Sequence, residues 1–164
     1  MTTPSSLELH IKDMLEKTDH LVKCTGSPQQ CLDSVVAMLH DHVPHYNWVG
    51  VYLLKGDELF LGPFRGKPSP HSRIPLNQGI CGAAASQKQT VIVPDVNADP
   101  RYLACSLETK SEIVVPIMDG AQCLGEIDID SDIADAFGDT DKELLEGVAN
   151  RIMPLVKSMI SVHP

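Results

Sequence analysis

Ser111-Glu112-Ile113-Val114-Val115-Pro116-Ile117 and Leu124-Gly125-Glu126-Ile127-Asp128-Ile129-Asp130-Ser131 form the stretch that decides the fold. Two β-branched runs separated by Asp119-Gly120 predict a β-hairpin over residues 112–118 and 122–130. Residues two apart in a strand share a face, so Glu126, Asp128 and Asp130 line one side while Ile127 and Ile129 face the other. Three carboxylates aligned without an interleaved Lys or Arg repel one another. A solvated sheet face accommodates them, and so does a site that receives a cation: a metal, a Lys or Arg, or a ligand's ammonium.

Working outward, the apolar positions from Leu7 to Val22 recur at helical spacing, and Gly26 can close that helix. Ser27-Pro28-Gln29-Gln30 opens a second helix with a capping serine, a first-turn proline and a capping-box glutamine. Trp48 to Leu54 reads as a strand, Lys55-Gly56-Asp57 as a turn and Glu58 to Leu61 as the returning strand. Gly62 to Pro70 is expected to be a loop, and Arg73 to Leu76 a short edge strand. Gly79 to Gln87 is a helix of small residues, and Val91 to Val93 a strand. Residues 95–109, including Cys105, form a long irregular segment. Thr140-Asp141-Lys142-Glu143 is a capping box for the last helix, which Pro154 should kink or segment. This order predicts one α+β domain over residues 1–164, with a mainly antiparallel sheet and helices on its faces.

The composition narrows the function. A net charge of -9 provides no basic patch for nucleic acid. No apolar run is long enough to span a bilayer, and Met1 to Ser6 do not resemble a secretory signal. Five cysteines, an odd number, suggest a reducing, cytoplasmic setting with free thiols.

Cys105 stands in a polar loop, as a small hydrophobe or a reactive thiol. Cys81, between Gly79 and Gly82 at a helix start, is expected to be shifted toward thiolate or to fill a small packed turn. Cys24, Cys31 and Cys123 are expected to pack. A zinc site from His71, Cys81 and Cys105 fits no usual ligand spacing, and Asp128-Asp130-Asp132 lacks the glycine and closing glutamate of a calcium loop. No metal is expected. Trp48, Gly50 and Tyr52 share a face, either as core or as an aromatic wall over a pocket. His10, His20, His40, His42 and His45 are expected to be solvated.

Several short motifs together resemble GAF domains, specifically the free methionine-(R)-sulfoxide reductases. They are Asn47-Trp-Val-Gly-Val-Tyr-Leu53, Gly62-Pro-Phe-Arg-Gly-Lys67, Arg73-Ile-Pro75, Gly79-Ile-Cys-Gly82, Asp95-Val-Asn-Ala-Asp-Pro100, Leu103-Ala-Cys105, Ser111 to Ile117, and Asp128-Ile-Asp-Ser131. The resemblance covers residues 47–150 and implies a GAF-like fold. It implies reduction of free L-methionine-(R)-sulfoxide through a cysteine sulfenic acid, with Cys105 as nucleophile. Glu112, Asp128 and Asp130 then take substrate-binding and acid–base roles, and Trp48 and Tyr52 hold the substrate's methyl end. Cys81 matches a second family cysteine. A homodimer, no cofactor, and thioredoxin or a small thiol as reductant are also implied.

The chain departs from the family pattern at three places. His71 stands where a resolving cysteine is usual, Ser106 follows the nucleophile in place of Asp, and a usual His falls at Tyr102–Leu103. The alternative is therefore a non-catalytic GAF module that binds an amino-acid-like ligand or senses redox state. His71 itself is expected to be exposed.

Overall fold

The computed structural model describes residues 6–103 and 106–162. Six strands form one sheet in the order β3-β2-β1-β6-β5-β4, and every pairing in it is antiparallel. The strands are β1 (Trp48–Lys55), β2 (Glu58–Arg65), β3 (Arg73–Pro75), β4 (Val91–Val93), β5 (Ser111–Asp119) and β6 (Gln122–Ser131). The helices are α1 (Ser6–Leu21), α2 (Pro28–His42), α3 (Gly79–Gln87) and α4 (Asp139–Val162). The expected α+β architecture is present.

The period-2 pattern of β1, β5 and β6 sorts their residues into two cores. Val49, Val51, Ile113, Val115, Ile127 and Ile129 point to α1, α2 and α4 and join the larger cluster with Leu32, Val35, Leu145 and Val148. Trp48, Tyr52 and Val114 point the other way, to α3 and its flanking segments, and pack with Ile80, Cys81, Ala84 and Val96. The first cluster is apolar throughout. The second shares its face of the sheet with the acidic residues.

Local signals act largely as expected. Ser27 accepts from the Gln30 backbone N–H at 3.2 Å, and the Gln30 side chain accepts from the Ser27 N–H at 2.9 Å, completing the capping box of α2. Arg65 on β2 forks onto both oxygens of Asp33 on α2 at 2.7 and 2.8 Å, fixing that helix against the sheet.

Several expectations change. The segment from Gly62 to Arg65 is strand, not loop. Tyr52 pairs with Leu61 and Gly50 with Phe64, so Gly62 and Pro63 together oppose Val51 in a bulge, where a proline is tolerated. The last helix begins at Asp139, and Asp141, not Thr140, does the capping. Its carboxylate accepts from the Gly138 N–H at 3.0 Å and also binds Tyr46 and His45, so His45 is held rather than solvated. That helix continues through Pro154 to Val162. Finally, Cys24 and Cys31 are not free thiols. The turn between α1 and α2 brings their Cα atoms to 5.8 Å and they form a disulfide.

Candidate functional site

The site is built on three adjacent strands. Register sets Trp48 opposite Asp130, Gly50 opposite Asp128 and Tyr52 opposite Glu126, while Glu112 on β5 pairs with Asp130 from the other side. An aromatic wall and a carboxyl strip are thus assembled by strand pairing alone. Asp130, Asp128, Glu126 and Glu112 are all buried, which rules out the solvated-face reading.

Gly50 makes the wall possible. A Cβ there would lie 2.6 Å from Trp48 Cζ3, so the indole ring occupies the space a side chain would take. The Trp48 ring stacks on Phe64 at 5.8 Å between centroids, and Tyr52 stands 6.5 Å away. Both aromatics use their polar ends to hold the connection between β2 and β3. Trp48 Nε1 donates to the Lys67 carbonyl at 2.9 Å, and Tyr52 Oη donates to the His71 carbonyl at 2.8 Å. They are core and wall at once.

Two cavities meet this strip. The larger, about 320 Å³, is bordered by Trp48, Asp130, Asn47, Thr109, Ser106 and the 66–69 segment. The smaller, about 20 Å³, is bordered by Tyr52, His71, Cys81, Leu103, Glu112 and Asp128. The second has room for about one water. His71, expected to be exposed, is half-buried and borders this inner cavity. At Gly79 φ is +71° and a Cβ would lie 2.9 Å from Leu103, so glycine lets the start of α3 approach that segment closely.

The electrostatics of the strip follow from burial. Glu112 is pushed well above the usual carboxyl range by burial and then by Asp128 and Asp130. Asp130 is likewise raised by burial and by Asp128. Asp128 is raised by burial, but its hydrogen bonds to Glu112 and Cys81 draw it back down. Glu112 and Asp130 are therefore held toward the protonated form, and Asp128 is the more acidic of the three. Asp128 Oδ1 and Asp130 Oδ1 lack a hydrogen-bond partner among the described residues.

Cys81 corrects a sequence expectation. The start of α3 does not favour a thiolate here: burial, followed by Asp128, Glu126 and Glu112, pushes the thiol well above its usual range. Dehydration and three nearby carboxyls outweigh the helix dipole. One ligand atom each from Cys81, Glu112 and Asp128 fall within 4.8 Å of one another. A protonated thiol beside a protonated carboxyl is a hydrogen-bonding group first, and would have to lose protons to hold a metal.

Of the sequence-predicted residues, Trp48, Tyr52, Cys81, Glu112, Asp128 and Asp130 come together on one face. Cys105 lies outside the described residues. Its described neighbours Leu103 and Ser106 border the inner and outer cavities respectively. Sequence reasoning missed the role of the 66–71 segment, whose carbonyls anchor both aromatics. The indole N–H and phenol O–H of the wall were the available signal.

The GAF domain model matches residues 27–154. The chain is 49% identical over 110 residues to the free methionine-R-sulfoxide reductase of Saccharomyces cerevisiae, covering 65% of this chain and 61% of that protein. It is 38% identical over 112 residues to the Escherichia coli free methionine-R-sulfoxide reductase, covering 68% and 67%. The structure of the Neisseria meningitidis free methionine-R-sulfoxide reductase in complex with its substrate superposes with a TM-score of 0.86 at 31% identity, covering 99% of this chain and 96% of that one. The chain belongs to the GAF domain family and, within it, is similar to the free methionine-R-sulfoxide reductases.

Proposed function

We propose that this chain reduces free L-methionine-(R)-sulfoxide to methionine, with Cys105 as the nucleophile. The observation that carries the reading is the buried strip of Glu112, Asp128 and Asp130 against the Trp48–Tyr52 wall. It offers a proton donor, carboxyl partners for an ammonium and an apolar wall for a methyl group on one face. Similarity to the named reductases supports it.

In this reading Glu112 donates its proton to the sulfoxide oxygen, which makes sulfur electrophilic. The Cys105 thiolate attacks, the sulfur–oxygen bond passes to cysteine, and methionine leaves with a sulfenic acid on Cys105. Asp128, joined by Asp130 once the ammonium displaces its proton, holds the substrate's ammonium through the unpartnered oxygen each carries. A peptide-bound residue has no such ammonium, which selects the free amino acid. Cys81 then condenses with the sulfenic acid, expelling water, and an external thiol opens the disulfide. The working form is a homodimer, and Leu9, 52% exposed on α1, fits a partner on the α1 face.

One observation favours the second reading, a binding module without turnover: His71 occupies the inner cavity wall where the family's resolving cysteine is usual. The two readings separate in an assay of free L-methionine-(R)-sulfoxide consumption with dithiothreitol and with thioredoxin. Turnover with either reductant supports the enzyme, and thioredoxin-dependent turnover supports Cys81 as resolver. Ligand binding without consumption supports the module.

A further inference from the structure

Three donors of different chemistry meet at the inner cavity. The Cys81 sulfur on α3, a Glu112 oxygen on β5 and an Asp128 oxygen on β6 all lie within 4.8 Å of one another. Each comes from a different element, so no spacing along the chain announces them. The cavity they border, about 20 Å³, has room for one atom-sized guest. Asp128 is 3% exposed, and its Oδ1 has no hydrogen-bond partner among the described residues. An oxygen of that kind on a cavity wall points to a guest that binds it, because a buried polar atom left unpaired is costly.

The chain supplies no fixed cation there. No lysine or arginine borders the cavity among the described residues. Arg101, whose charge reaches Glu112, is forked onto Asp99 at 3.0 and 2.7 Å. Ile74, Ile80 and Leu103 make much of the wall apolar, which strengthens any attraction between charges inside. His71 borders the same cavity and acts on the charge of Asp128, so an imidazole is at hand as a further donor.

We infer that Cys81, Glu112 and Asp128, with His71 as fourth donor, form a binding site for a thiophilic divalent cation of the zinc class. Mixed sulfur, oxygen and nitrogen donors suit Zn²⁺ and its larger analogue Cd²⁺. Zinc bonds of about 2.0–2.3 Å set tetrahedral donors about 3.3–3.8 Å apart, so the side chains need to close by no more than about 1.5 Å. Magnesium and calcium take oxygen donors in greater number and keep waters that this cavity has no room for. The ion displaces the protons on Cys81 and Glu112 to solvent, so it binds more weakly than at a dedicated zinc centre. Its charge relieves the repulsion between the neighbouring carboxyls. On the reductase reading, these residues also bind and process the sulfoxide, so the ion inhibits by excluding substrate. The inhibition rests on that reading, and the binding does not.

Cadmium is the probe, because a thiolate–cadmium bond absorbs in the ultraviolet. Full-length Cys105→Ser protein with the Cys24–Cys31 disulfide intact leaves Cys81 and Cys123 as the free thiols. Cadmium should bind it with that absorption, zinc should abolish the absorption by competition, and magnesium or calcium in large excess should not. Cys123→Ser should keep the absorption and Cys81→Ser should lose it. Glu112→Gln, Asp128→Asn and His71→Ala, which leave the thiol in place, should each weaken cadmium binding by at least about tenfold. Circular dichroism confirms that each variant is folded, and zinc should raise the thermal midpoint of the wild type but not of Asp128→Asn. No thiolate absorption, absorption that survives Cys81→Ser, or unchanged affinity in any of the other donor variants would overturn the site. For the inhibition, wild type preloaded with zinc should release methionine from free L-methionine-(R)-sulfoxide only after EDTA removes the metal. Full-rate release by the zinc-loaded protein would overturn the inhibition. No release from metal-free wild type would instead count against the reductase reading, and the cadmium result would still stand.

Discussion

Glu112 on β5 and Asp130 on β6 are direct cross-strand partners, and both carboxyls are buried. Like charges in that relationship are unfavourable, so the folded state keeps protons that the unfolded chain would release. Where the native state binds more protons, stability falls as pH rises. The contribution of Glu112 and Asp130 is complete below the ordinary carboxyl range and is lost as pH climbs through their raised values. The thermal midpoint of the ligand-free protein should therefore be higher at about pH 5.5 than at about pH 8, and Glu112→Gln should flatten that slope. A midpoint that increases over the same interval in wild type would contradict the assignment.

Gly50→Ala tests the aromatic wall. The added Cβ meets the Trp48 ring, so the ring must move off the strip. Overpacking of this kind costs about 1–3 kcal/mol, measurable by urea unfolding. KM for the sulfoxide should rise in parallel, because the wall is displaced from the carboxyls. Unchanged stability and unchanged KM would show that the ring has no fixed place.

Tyr52→Phe removes the hydroxyl that holds the His71 carbonyl at 2.8 Å while leaving the ring in place. Loss of one such bond is worth about 1 kcal/mol, so KM should rise about fivefold if the 66–71 segment closes over substrate. Steady-state kinetics at several substrate concentrations separates this from an effect on kcat. An effect on kcat alone would place Tyr52 in the chemistry rather than in closure.

The Cys24–Cys31 disulfide should stabilise the α1–α2 connection. For so short a loop the chain-entropy relation gives about 2.5 kcal/mol, so Cys24→Ser should lower the denaturation midpoint. The reaction strip lies on the opposite face of the sheet, so methionine formation in a single turnover should be unaffected. Identical midpoints for wild type under oxidising and reducing conditions would mean the bond adds nothing.

Much of this was legible from local chemistry. The two-residue period of Glu126-Ile127-Asp128-Ile129-Asp130 fixed which residues share the site, because strand geometry leaves no alternative. Ser27-Pro28 fixed the start of α2 because capping is a contact within one turn. What escaped the sequence depended on distant partners. The bulge at Gly62–Pro63 exists because β1 sets the register opposite it. Cys81 sits at a helix start that ordinarily favours thiolate, and its own burial, with three carboxyls around it, reverses the sign. His45 was read as solvated because its partner Asp141 is far away in sequence.

The central claim is tested most directly by a single turnover without added reductant. Pre-reduced protein mixed with excess free L-methionine-(R)-sulfoxide should release about one equivalent of methionine, since one nucleophile takes one oxygen. Cys105→Ser should release none, and the S epimer should be left untouched. Methionine release by Cys105→Ser equal to that of wild type, or none from wild type itself, would contradict the assignment of Cys105 and the carboxyl strip to sulfoxide reduction.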